Sequence, residues 1–143
     1  MARESKIGIE EAVDALLKSA DFLRFAHEKL LEEWSPDTPP STIVFSTFGE
    51  CFCSHSPTSS ETTLIRICKL IEELMSRGDD GVMNAVATGM LEAMLAESSA
   101  GRFEFETVTP FLGAHTKAFC RSWDEFTGYH TSGLYDGEGT GEA

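Results

Sequence analysis

With 143 residues, 24 acidic against 11 basic side chains and a formal charge of -13, the chain has the size of a single domain that buries roughly two-thirds of its unfolded surface without metal or disulfide staples. A negative surplus of that size argues against direct binding of nucleic acid or anionic membrane and makes a basic surface the natural charged partner. No apolar run approaches the roughly 20 residues that span a bilayer. The start Met1-Ala2-Arg3-Glu4-Ser5 lacks the apolar run of a signal peptide, so Cys51, Cys53, Cys68 and Cys120 are expected reduced in a cytoplasmic protein.

From Ile7 to Trp34 the apolar positions Ile9, Val13, Leu16, Leu17, Ala20, Leu23, Ala26, Leu30, Leu31 and Trp34 keep helical spacing. This predicts one long amphipathic helix with room for a kink near Asp21. Phe22 and Phe25 lie off that stripe, which implies burial on two sides or aromatic surface left for a partner. Ser35 to Ser41, with three prolines, cannot continue a helix and forms a linker. Ile43 to Phe52 fits both periods; Phe45, Phe48 and Phe52 favour a short helix over a strand. Ser54 to Ser60 is a polar loop, and Thr58 to Glu61 supplies capping groups.

The strongest pattern runs from Glu61 to Leu95. Leu64, Ile67, Cys68, Ile71, Leu74 and Met75 make one apolar helical face; Val82, Val86, Met90, Leu91, Met94 and Leu95 make a second. Between them Gly78 suits a left-handed helix end, and Asp79 or Asp80 can accept from the amides of the next helix start. An antiparallel helical hairpin over about 60–96 follows. Arg102 to Val108 alternates like a strand, but with no second strand to pair it reads as an extended connector or irregular helix whose Phe103 and Phe105 plug the core. Pro110 opens a last helix that Gly128 stops. The expected fold is therefore all-α, a single-domain helical bundle of about five to six helices over 1–128, followed by a flexible, acidic, glycine-rich tail over 129–143.

No residue set announces a reaction. Cys51, Cys53 and His55 invite a metal, but their alternate spacing matches no zinc knuckle and a second ligand pair is missing. Cys120 with His115 or His130 could form a nucleophile pair only if a cationic niche lowered the thiol's pKa, and Lys117 and Arg121 are the nearby cations. Glu72, Glu73, Asp79 and Asp80 could supply a carboxylate pair, although adjacent acids on a turn are ordinarily solvated. Gly78, Gly81 and Gly89 lack the lysine-serine or lysine-threonine ending of a phosphate loop. Asn84, Thr88 and Glu92 form a polar stripe on the second arm of the hairpin. No cofactor, metal or catalytic residue is expected.

The blocks Asn84-Ala85-Val86-Ala87-Thr88-Gly89-Met90-Leu91-Glu92 and Phe111-Leu112-Gly113-Ala114-His115 through Ser122-Trp123-Asp124-Glu125-Phe126-Thr127-Gly128, about a fifth of the chain, resemble a family of small, acidic, all-helical bacterial proteins. These are immunity proteins found beside polymorphic or contact-dependent toxins. The resemblance implies a non-enzymatic protein that neutralises a cognate toxin, such as a nuclease with a basic surface, by stoichiometric binding. Residues 72 to 106 hold eight acids against Arg77 and Arg102, and residues 122 to 143 hold five against none. The candidate contact residues are accordingly Glu72, Glu73, Asp79, Asp80, Glu104, Glu106, Asp124 and Glu125, with Tyr129, Tyr135 and Trp123 as aromatic anchors. The alternative is a helical adaptor or scaffold that binds a partner unrelated to toxins.

Overall fold

Each predicted apolar face closes against another helix in the computed structural model, which describes residues 6–135. Among the described residues there are seven α-helices and no strand: α1 (Ile9–Ser19), α2 (Asp21–Trp34), α3 (Ser41–His55), α4 (Glu61–Arg77), α5 (Asp80–Asn84), α6 (Glu92–Ser99) and α7 (Ala114–Thr127). A π-helical turn, Ala85–Leu91, joins α5 to α6 with helical backbone on both sides. They form one arm, so the bundle holds six continuous rods. No helix among the described residues is long and apolar enough to cross a membrane.

The long helix expected over Ile7 to Trp34 is two helices. Ala20 is fully extended (φ -162°, ψ 140°), although no glycine or proline marks the place. The break is held from within and from outside: the Ser19 hydroxyl donates to the Leu16 carbonyl of its own helix at 2.7 Å, and Arg66 of α4 donates to the Ser19 carbonyl at 3.1 Å. A kink becomes a corner because α4 satisfies the backbone group that a continuous helix would have bonded internally. The polar side of α2 keeps Phe25 59% exposed, whereas Phe22 is half-buried and stacks on His55 with centroids 4.5 Å apart.

The hairpin is present, and all twelve apolar residues assigned to its two faces are buried. Its corner is built differently from the expected left-handed stop. Gly78 has φ -68°, and it is glycine because a Cβ would sit 2.5 Å from both the Leu74 carbonyl oxygen and Val82 Cγ1. The chain's entry segment laces this corner: the Ile7 amide donates to Arg77 (3.0 Å), and the Ile7 carbonyl accepts from the Asp79 amide (2.8 Å).

The residues from Ser41 to His55 are helical throughout, longer than the short helix expected. Phe45, Phe48 and Phe52 are completely buried between α2 and the second arm of the hairpin. Backbones meet closely here. A Cβ on Gly49 would lie 2.5 Å from the Met90 carbonyl oxygen, and one on Gly89 would lie 2.9 Å from the Thr42 carbonyl oxygen. Two glycines facing opposite partners thus let α3 and the π-helical turn approach each other without intervening side chains. Phe103 and Phe105 do plug the core, edge to face at 5.8 Å, from a connector that closes into short 3₁₀ turns at Phe105–Thr107 and Thr109–Phe111.

Gly128 ends α7 in the left-handed conformation (φ 80°), but the fold does not end there. Thr131 and Leu134 are buried. The tail expected over 129–143 is therefore anchored on the fold through Thr131, Leu134 and the half-buried Tyr135, and its remainder, 136–143, lies outside the described residues.

Candidate functional site

The acidic residues proposed as a contact surface divide into those the fold consumes and those it leaves open. Glu72 belongs to the first group. Helix α7 begins at Gly113 with no side chain of its own to cap it, and Glu72 of α4 supplies the acceptor. Its Oε2 takes the His115 amide at 3.0 Å and lies 2.7 Å from His115 Nδ1; its Oε1 takes the Thr116 amide and hydroxyl, both at 2.9 Å. Burial alone would raise the carboxyl pKa, but the hydrogen bonds from Thr116 and His115 outweigh it and hold Glu72 below the ordinary carboxylate range. A Cβ at Gly113 would overlap the Glu72 side chain. Glu72 is thus a capping group delivered in trans along the chain, not a solvated acid awaiting a partner.

Asp124 is likewise withdrawn from the surface. Only 3% exposed, it accepts from the Thr131 amide and hydroxyl at 2.7 Å each and from the Tyr135 hydroxyl at 2.8 Å. One turn earlier Arg121 donates twice to the Leu134 carbonyl, at 2.8 and 2.6 Å, with its guanidinium over the Tyr135 ring and His130 stacked on that ring. Tyr135 is therefore a buried-side anchor of the segment after α7 and not an exposed aromatic. Asp79 caps α5 through the Val82 amide at 2.8 Å, and Glu73 pairs with Arg77 one helical turn away. Asp80 and Glu125 are exposed.

Glu104, Glu106 and Tyr129 are brought together. With Ser98, Gly101, Phe103, Phe105 and Ser132 they line an open cleft of about 190 Å³. The alternation of the connector explains the placement: Phe103 and Phe105 turn inward, so Glu104 and Glu106 must turn outward. The nearest cation in sequence, Arg102, is held by Glu97 through bonds of 3.0 and 3.1 Å, which lower the Glu97 carboxyl from its ordinary pKa. Neither Glu104 nor Glu106 has an ion pair among the described residues. Tyr129, 38% exposed, stands edge-on to Trp123 at 6.4 Å. Trp123 itself is half-buried, which leaves Tyr129 as the aromatic edge of the cleft.

The thiols do not assemble a reactive centre. Cys51 donates to the Phe22 carbonyl at 3.4 Å and lies 3.6 Å from His55 Nδ1, while Cys53, two residues on and so on the opposite side of α3, is buried in the core. No group of three or more histidine, cysteine or acidic side chains among the described residues is placed to hold a metal ion. Burial pushes Cys51 up to about 11, and Cys68 and Cys120 up to about 12. Burial also raises Cys53, with Glu97 and Glu50 adding to it. A thiol raised by burial is the reverse of an activated nucleophile. His115 is engaged by Glu72 and His130 by Tyr135, so the pairs drawn with Cys120 do not form. Sequence reading missed the roles of Thr116, Thr131 and Arg121, because their partners are set by the fold and by a loop that composition marked as tail.

No curated protein and no solved structure matches the chain. Residues 15–128 match the family model described as a domain of unknown function, DUF7674, from within α1 to the glycine that stops α7. That match covers most of the sequence, and the protein belongs to this family.

Proposed function

We propose that the protein is a stoichiometric binder of the immunity type, which neutralises a cognate toxin by holding a basic region of it in the cleft of Glu104, Glu106 and Tyr129. The observation that carries the reading is that these two carboxylates share a concavity with a half-exposed tyrosine and have no ion pair among the described residues. At about 190 Å³ the cleft falls short of the roughly 300 Å³ at which small-ligand pockets begin. It has room for one long basic side chain. A net charge of -13 attracts such a partner from a distance and raises the association rate more than it slows dissociation. Asp80 and Glu125, exposed and solvated, add to that field.

Co-expression with the product of the adjacent gene tests the function, and stopped-flow association tests the surface. Protection of the cell, with association slowed about tenfold in the double variant Glu104→Lys/Glu106→Lys and dissociation nearly unchanged, is the expected result. A neighbouring product that is harmless, or that kills equally in the presence of this protein, overturns the reading. Protection with unaltered association moves the contact away from the cleft. The apolar exposure of Phe126 (89%) and Phe25 (59%) favours a second reading, a helical adaptor for a partner unrelated to toxins, whose mark is recovery of one cellular complex that is lost on Phe126→Ser.

A further inference from the structure

On this acidic molecule the α1–α2 corner and α4 bound a groove of opposite character. Two depressions of about 380 and 360 Å³ share Lys18, Ser19 and Arg66 along their common edge. Lys69 rims the first, whose floor is made by Ala15 and Leu70. Ser59 and Thr63 line the second.

The acids at its margin already have cations: Asp14 bonds Lys18 at 3.0 Å, Asp21 bonds Arg24 at 2.9 Å, and Glu73 is paired with Arg77. Arg66 gives one nitrogen to the Ser19 carbonyl and keeps its remaining donors. Lys69 has no ion pair among the described residues. Thr63 accepts from the Ser60 hydroxyl at 3.0 Å, so its own hydroxyl hydrogen is left to donate. The groove therefore carries two surplus positive charges, Arg66 on the edge shared by both depressions and Lys69 beside the apolar floor of the first, with the Thr63 hydroxyl in the second.

We infer that this groove binds a small amphipathic anion, a phosphate or carboxylate head on an apolar body. Arg66 and Lys69 hold the head by charge-assisted hydrogen bonds, and the body lies over Ala15 and Leu70 in the same depression. It shares no lining residue with the acidic cleft, so it stands or falls independently of the partner proposed above.

Titration calorimetry of the intact chain with octyl phosphate below its micellar concentration is the test. Octyl phosphate is expected to bind at one site. Octyltrimethylammonium, which carries the same tail and the charge that a protein of -13 should prefer, is expected not to. Arg66→Gln and Lys69→Gln should each weaken binding about tenfold, the size of one lost charge-assisted hydrogen bond, whereas Lys29→Gln on the polar side of α2 should leave it unchanged. Because Arg66 also holds the α1–α2 corner, the exposed Lys69 variant carries the conclusion if Arg66→Gln unfolds. Equal binding of the cationic amphiphile, equal loss in Lys29→Gln, inorganic phosphate binding as tightly as octyl phosphate, or uptake only by phosphatidylglycerol vesicles would each overturn the assignment.

Discussion

Glu72 accepts two hydrogen bonds from Thr116 through one carboxylate oxygen, from the amide and from the hydroxyl, both at 2.9 Å. The other oxygen serves His115. A helix start that lacks its own capping side chain is thereby tied to α4 by a charged group, beside the apolar packing of Cys120, Phe119 and Trp123.

Glu72→Ala should destabilise the fold by roughly 2 kcal/mol, combining a lost cap with donors left unpaired at a partly buried junction. The pH dependence has a definite sign. The folded-state pKa is depressed, so the stabilisation is fully present above the unfolded carboxyl's pKa, near about 4, and disappears as pH falls through the lower folded value. Urea unfolding at neutral pH and at successive acid steps should show a steeper acid-side loss in the native protein than in Glu72→Gln. Equal slopes would remove Glu72 from this role.

Asp124→Ala should cost about 2 to 4 kcal/mol, because Thr131 and Tyr135 together lose an acceptor for three donors in a buried setting. Shortening the chain after Gly128 should also destabilise, through loss of the buried Thr131 and Leu134. The two changes share partners, so they should not add. In the shortened chain Asp124→Ala should be nearly neutral; full additivity by thermal unfolding would mean that Asp124 acts elsewhere.

Glycine substitutions separate close packing from helix propensity. Gly49→Ala and Gly89→Ala place a methyl group against backbone atoms of the facing segment and should each cost about 1 to 3 kcal/mol. Gly81→Ala, whose Cβ would meet nothing nearer than 3.4 Å, should be neutral or mildly stabilising in the first turn of α5. Denaturant midpoints of the three variants decide it. Similar losses at all three positions would point to backbone freedom, not contact between α3 and the π-helical turn.

All four cysteines should resist alkylation in the folded state. Burial raises each thiol, so iodoacetamide at pH 8 should label Cys51 first and slowly, and the other three only on unfolding. Peptide mapping over time reads the order. Rapid labelling of Cys120 in native protein would contradict its placement against Asp124.

Hydrophobic period located the two faces of the hairpin and their twelve buried residues, because an apolar face of that width has no stable place except against another such face. Over Ile43 to Phe52 it fits helix and strand alike, and the short helix chosen there is longer in the structure, Ser41–His55. The glycine stop of α7 and a cap at Asp79 or Asp80 were legible for the same local reason: each satisfies a helix end within a few residues of itself, and the structure selects Asp79. The Ala20 corner was legible only as room for a kink near Asp21, not as a break between two helices. It carries no breaker, and it depends on Arg66, 47 residues away from the carbonyl it holds.

The candidate surface divided along the same line. Composition could count acids between 72 and 106, yet it could not separate Glu72, which α7 consumes, from Glu104 and Glu106, which the inward turn of two phenylalanines leaves facing water. Nor could charge counting find the cationic groove, since Arg66 and Lys69 of α4 meet Lys18 of α1 only in the fold. Local chemistry thus determined which segments are helical and which of their sides must be covered. Only the tertiary arrangement decided which charged groups are neutralised within the molecule and which remain for something else, because that depends on what the fold places within hydrogen-bonding distance, across more than forty residues in the case of Glu72.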